Sequence, residues 1–392
     1  MADRTPVIVA AKRTPVGKFL GGLSRCKATD LGSYAIKAAL ADAPGAAEHV
    51  QEVVMGCVLQ AGLGQNPARQ AALKAGLPHS MNCSTVNKVC GSGLQAAMLI
   101  AQAIKAGDID CGVAGGLENM SMAPHLAHVR AGLKFGDGKM IDHMQFDGLT
   151  CAFEGCAMGN SAEHTARQGK ISREDQDKWA VRSNQRAAEA TTNGWFKPEM
   201  AALTAEQIGQ KVGLEQDEGF RADTTMETVA KLRAAFEKDG TITAANASQI
   251  SDGAAAVVIM TADLANKLKL PILGRITAYH TAGVAPKEIF TAPGFAIPAV
   301  LEKAGKTVND VDLVELNEAF AAQTLANIRQ AELDESKVNV CGGGIALGHP
   351  IGASGARVLT TLVHQMKRLN KKTGVAALCL GGGNAVAMVV ER

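Results

Sequence analysis

The sequence predicts an α/β fold made of two similar halves with a long excursion between them. Three observations carry this prediction. Glycine is abundant, at 42 of 392 residues, while aromatic residues make up only 4%. That balance suits many strand–helix turns better than an aromatic-rich binding surface. Next, CGSGLQAAMLIAQAIKAGDIDCGVAGGLENM (Cys90–Met120) is echoed by GASGARVLTTLVHQMKRLNKKTGVAALCLGGGNAV (Gly352–Val386). Each opens on Gly-x-Ser-Gly or its near equivalent and continues as an apolar-periodic helix. Each then passes a glycine turn into an apolar strand that ends in Gly-Gly. Such a repeated unit predicts duplication, with parallel or mixed sheets covered by helices. Finally, the chain from Asn119 to about Ala247 is richer in Met, Lys, Asp and Gln than either flank.

Taken in order, Val7–Ala11 reads as a first buried strand. It is too short, and too closely flanked by charge, for the core of a signal peptide. The ending AMVVER is not a peroxisomal address, so cytoplasm is the expected location. A helix is expected from near Ser92. Val129–His143 reads as a loop excursion. Ser172–Gly194 reads as a capped amphipathic helix, with Ser172 and Asp175 at its start and Gly194 at its end. A second half begins near Leu270–Gly283. The expected division is therefore 1–118 plus 248–269 for the first half, 119–247 for an inserted loop domain, and 270–392 for the second half.

Apolar residues make up 47% and charged residues 20%, as in a soluble chain with a large core. The net charge of +2 gives no reason to expect nucleic acid or a membrane surface. The longest apolar runs, such as Gly253–Met260, look too short to cross a bilayer. Nine scattered cysteines without a CxxC predict neither a disulfide framework nor a zinc site.

Four segments could carry chemistry. In NKVCGSG, Cys90 would stand just before a helix N-terminus, whose dipole and free N–H groups favour a thiolate. The surrounding glycines would let another molecule approach. A small cysteine packed at a strand end fits as well. In NEAFAAQ, Asn317 could hold a water, or Asn317 and Glu318 could simply cap a helix. In CGGGIALGHPIGASGA, His349 lies between Gly348 and Pro350, with bare backbone leaving room for a ligand. In LCLGGGNA, Cys379 ends a strand before three glycines whose N–H groups could form an oxyanion hole. Two cysteines, a histidine and an asparagine, each beside glycines, suggest acyl transfer through a thioester.

Together with AAKRTPVGKFLGGLS, GGLENMSMAPH, FDGLT and NASQISDGAAA, these segments resemble the thiolase family along essentially the whole chain. The resemblance implies a five-layered αβαβα core from two similar halves, plus an inserted loop domain. It implies acyl-CoA thioester substrates, with coenzyme A as substrate and product and no metal or organic prosthetic group. By motif, Cys90 would be the acyl acceptor and His349 its activator. Asn317, through a water, would complete one oxyanion hole with His349. Cys379 would be the acid/base, and the N–H groups of Cys90 and Gly381 a second hole. Arg221, Ser248, Leu149, Met158 and Phe320 match coenzyme A-contacting places, Arg221 towards the adenine and Ser248 towards the pantetheine amide. Val129–His143 resembles the tetramerisation loop of short-chain members, which implies a homotetramer. Arg130, Lys134 and Lys139 there could attract phosphates or form a solvated basic loop.

The implied reaction is ping-pong condensation of two acetyl-CoA to acetoacetyl-CoA and CoA, or its reverse. Ala157 and Ile289 replace the His and Met that shape the acyl pocket of short-chain members. Gln249, Cys341 and Ala385 also depart from the usual residues. A ketoacyl thiolase of broader chain length, acting in fatty-acid degradation, is therefore the alternative. A non-catalytic acyl-CoA-binding protein is the alternative of another class.

Overall fold

The computed structural model describes residues 3–392, so the first two residues of the expected N-terminal half lie outside them. Strand β1 (Pro6–Arg13) is buried almost throughout, as its Val-Ile-Val-Ala-Ala run dictates. Helix α1 (Ala28–Ala41), strand β2 (Glu52–Gly56), helix α2 (Pro67–Lys74) and strand β3 (Asn82–Val86) follow. Helix α3 (Ser92–Ala106) and strand β4 (Cys111–Asn119) complete the first repeat unit. The excursion carries helices α4 (Met158–Gln168) and α5 (Arg173–Thr192). Helix α5 begins as its sequence predicts, with the Asp175 N–H donating to Ser172 Oγ at 3.0 Å. It gives way to Gly194 at φ +69°, a left-handed position that favours glycine. Strand β5 (Ser251–Thr261) then returns to the first half.

The second half comprises strand β6 (Gly274–Gly283), helix α6 (Ala292–Lys303), strand β7 (Leu313–Leu316) and helix α7 (Ala321–Gln330). Helix α8 (Ile351–Arg368) and strands β8 (Thr373–Leu380) and β9 (Asn384–Glu391) complete it. Strand β4 runs parallel to β2 and antiparallel to β5, which is antiparallel to β1. Strand β8 runs parallel to β7 and antiparallel to β9, which is antiparallel to β6. The sequence repeat is thus a repeat of topology. Gly381–Gly383 joins β8 to β9 directly, where residues 120–250 intervene between β4 and β5.

The two halves of the sheet are not separate. Val7 pairs with Arg275 and Ile8 with Gly274, so one hydrogen-bonded order runs β7-β8-β9-β6-β1-β5-β4-β2-β3. Five layers result. Helices α1 and α2 cover the outer face of the first half, α3 and α8 lie between the halves, and α6 and α7 cover the outer face of the second.

The segment Val89–Ala106 is, by length and composition, apolar enough to cross a membrane, contrary to the expectation that the longest apolar runs are too short. The fold explains its character without a bilayer. Leu94, Ile100 and Ile104 are fully buried because α3 packs on sheet on both sides. Where α3 and α8 cross, a Cβ at Gly93 would stand 2.6 Å from Ala356 N, and one at Gly355 2.2 Å from Leu94 N. Neither neighbour is a movable side chain. Gly355→Ala is therefore expected to destabilise the chain by about 3 kcal/mol through overpacking, read as a lowered denaturant midpoint.

Candidate active site

The N-termini of α3 and α8 meet beneath a largely apolar cavity of about 330 Å³. Cys90, His349, Cys379 and Gly381 all reach it. Cys90 follows Val89, whose φ of +47° is costly for a β-branched residue, about 1–3 kcal/mol. Ser92 holds this turn, accepting from Lys88 N–H at 2.8 Å and donating to Val89 O at 2.6 Å. The serine of CGSG thus closes the elbow that presents the thiol.

The glycines beside Cys90 do not leave room for a ligand, as the sequence suggested. A Cβ at Gly91 would lie 2.2 Å from Leu380 Cδ2, so this glycine admits the second half of the chain. The same holds at Gly348, φ +109°, where a Cβ would meet Ser251 Oγ at 2.3 Å. The ligand space lies elsewhere, against apolar side chains.

His349 has a defined tautomer. Ser354 Oγ donates to Pro350 O at 2.9 Å, so it accepts from His349 Nδ1–H at 2.5 Å. Nε2 is left as the ring's acceptor, and Asn317 Nδ2–H donates a long bond to it at 3.4 Å. Burial, reinforced by buried Arg357, pushes the imidazole down to about 3. Burial pushes the Cys90 thiol up to about 12, against the N–H groups of Gly381 and Cys90 that favour its thiolate. Burial, with Cys90 nearby, also holds Cys379 well above an ordinary thiol. The helix N-terminus therefore does not make a resting thiolate, because desolvation outweighs it. At neutral pH the thiol and imidazole are both uncharged. Alkylation of Cys90 by iodoacetamide is expected to rise roughly tenfold per pH unit from about pH 7 to about pH 10. A plateau in rate near neutrality would instead reveal a preformed ion pair.

Asn317 does not line the cavity but reaches it through His349. It is fully buried, and its Oδ1 has no protein partner. A buried acceptor left so calls for a donor from outside the chain. Neither Asn317 nor Glu318 caps α7, whose N-cap is Phe320 without a side-chain bond. Glu318 instead binds α5 to the second half. It accepts from Trp179 Nε1 at 3.0 Å, Ser183 Oγ at 2.7 Å and Asn339 Nδ2 at 2.9 Å.

Ser248, Leu149, Met158 and Phe320 line the same cavity, as do Ala157 and Ile289. Arg221 is not brought there. It is exposed and lines a separate cavity of about 320 Å³ with Asp223, Thr224 and Leu232. Sequence reasoning missed Phe236, which stacks edge-on to Phe320 at 6.3 Å, as Phe290 does at 5.2 Å. It sits in FEKDG, which carries no motif. Gln145 and Ile351 were missed too. Among the described residues, no group of three or more His, Cys, Asp or Glu is placed to hold a metal ion.

This duplicated α/β frame, with its thiol-lined cavity, is that of an acyltransferase. Residues 6–263 match the family model described as Thiolase, N-terminal domain, and residues 270–392 match Thiolase, C-terminal domain. An acetyl-CoA acetyltransferase of Cupriavidus necator is 52% identical over 388 residues, 98% of this chain and 99% of its own. One of Rhizobium meliloti is 50% identical over 392 residues, covering both chains completely. A probable acetyl-CoA acetyltransferase of Escherichia coli is 47% identical, over 98% of each chain. The chain belongs to the thiolase family.

Proposed function

We propose that this enzyme catalyses the reversible Claisen condensation of two acetyl-CoA to acetoacetyl-CoA and CoA, with the acetyl group carried on Cys90. The observation that carries this reading is the convergence of Cys90, His349, Cys379 and the Gly381 N–H on one apolar cavity. The acetyl-CoA acetyltransferases that match it end to end support the substrate.

Cys90 Sγ attacks the thioester carbon while its proton passes to the unprotonated His349 Nε2, displacing the long Asn317 contact. The carbon–sulfur bond of acetyl-CoA breaks, and the departing sulfur takes the proton of Cys379. The Cys379 thiolate then removes an α-proton from the second acetyl-CoA. The resulting enolate attacks acetyl-Cys90, and the Cys90 sulfur leaves and recovers its proton from His349. Burial makes imidazolium and thiolate each costly alone, and forming them together in one cavity offsets that cost. The Nε2–H of the imidazolium, with a water on Asn317, faces one oxyanion, and the N–H groups of Cys90 and Gly381 face the other.

Residues 119–247 serve as the coenzyme A domain in this reading. Ser248 meets the pantetheine, with Leu149, Met158 and Phe320 beside it, and Arg221 in its separate cavity meets the adenine end. Exposed Leu133 and Phe135, in the loop 129–143, suit burial between copies in a homotetramer. Arg130, Lys134 and Lys139 add positive charge towards the phosphates. The enzyme is assigned to the cytoplasm.

A broader ketoacyl specificity has one observation in its favour, since Ala157 and Ile289 both stand in the cavity wall. Initial-rate thiolysis of acetoacetyl-CoA beside 3-oxooctanoyl-CoA decides between them. At least tenfold preference for the four-carbon substrate is expected. Equal or faster turnover of the longer one would reassign the enzyme to broader thiolysis, and no turnover of either would leave a binding protein.

A further inference from the structure

We infer that Glu118 is a positioning residue for Cys90 and His349, its buried carboxylate tying the chain after β2 to the first turn of α8. This role rests on the acyl-transfer reading above. Glu118 is the penultimate residue of β4 and is fully buried. Its Oε2 accepts from Gly352 N–H at 2.8 Å and Val58 N–H at 3.0 Å. Its Oε1 accepts from Leu59 N–H at 3.1 Å and from the Cys57 thiol at 3.7 Å. All four contacts are donors. Three of them are backbone N–H groups that can only donate, so the cradle favours the carboxylate. Burial opposes this and raises the group to about 7.

Both ends of the tie lead to the chemistry. Gly352 lies in the turn where Pro350 O holds Ser354 Oγ, which in turn receives His349 Nδ1–H. Val58 and Leu59 pack with Ile351 and Met120 against Cys90. A Cβ at Gly352 would come 2.6 Å from Glu118 Oε2, so this contact requires glycine. The titratable groups around the carboxylate are Cys57 and Cys90, with His349 beyond the turn. Asp252 on the neighbouring strand is engaged by Ser121 at 2.6 Å. The charge of Glu118 further opposes a Cys90 thiolate.

The duplication sharpens the point. With Gly112 matched to Gly374, Glu118 corresponds to Leu380. Each touches the start of the other half's central helix, Leu380 at Gly91 and Glu118 at Gly352. One half uses an apolar side chain there. The other buries a carboxylate, which packing alone does not require.

The test pairs turnover with substrate-free alkylation, mapped to Cys90 and Cys57 by peptide mass. Glu118→Gln is expected to lower kcat at least tenfold with KM changed less than threefold. Its Cys90 alkylation near pH 8 should rise, by about twofold or more, as the opposing charge is lost, with Cys57 still protected. Glu118→Asp should lose kcat but keep the parental alkylation rate. Unchanged kcat in Glu118→Gln, or turnover and alkylation falling together, overturns the proposal. If Glu118→Gln does not fold, Glu118→Asp decides: parental kcat overturns the role, and reduced kcat with parental alkylation supports it. Absence of turnover in the parent enzyme would strike the functional reading instead, and the alkylation comparison is read without it.

Discussion

Cys90→Ala is expected to lower thiolysis of acetoacetyl-CoA by about 10⁴-fold or more, because no other group can carry the acetyl intermediate. Cys379 lies in the same cavity but is enclosed at the end of β8, 1% exposed. Its thiol is held well above an ordinary one, and in this reading its proton goes to the departing sulfur, so it serves as acid/base and not as acyl acceptor. The measurement is the steady-state rate together with the mass of enzyme mixed with acetyl-CoA. The parent chain should gain one acetyl group and Cys90→Ala none. An acetyl group found on Cys90→Ala would assign the nucleophile elsewhere. The variant should fold, since Cys90 contributes to the core only at its edge.

Cys379→Ser is expected to separate the two half-reactions. Removing a general acid/base costs about 10²- to 10⁴-fold, and the serine hydroxyl is too weak an acid to take over the proton. Condensation and thiolysis should therefore fall by about 10³-fold. The bond from Cys90 to an acetyl group needs His349 first, so the acetyl enzyme should still form, only more slowly. Quench-flow mass analysis would show it accumulating. Loss of acetylation equal to loss of turnover would mean that Cys379 acts in the first step as strongly as in the second. His349, with Nδ1–H fixed on Ser354 and Nε2 unprotonated, is built for that first proton.

The glycine-rich segments were legible as strand ends and helix starts because glycine and apolar spacing follow local backbone geometry. Their purpose was not legible. Gly91, Gly93, Gly348 and Gly355 are small because another part of the chain occupies their Cβ positions. That requirement arises only when the two halves fold against each other. Phe236 and Glu118 escaped for a related reason. One lies in a loop without a motif and the other near the end of an apolar strand, and each gains meaning only from what folds against it.

By itself the sequence determined a duplicated α/β chain, the start of α3 at Ser92, the capped α5, and the candidate residues beside glycines at strand ends. These depend on neighbours a few residues apart, so periodicity and turn chemistry suffice to read them. The tertiary structure alone decided that β1 and β6 join the halves into one sheet, and that Arg221 stands in a second cavity. It also decided the charge states. A helix N-terminus argues for a thiolate at Cys90, but burial beneath the second half argues more strongly for the thiol. Desolvation depends on everything packed around a group, most of it distant in the chain, whereas a dipole can be read from the next few residues.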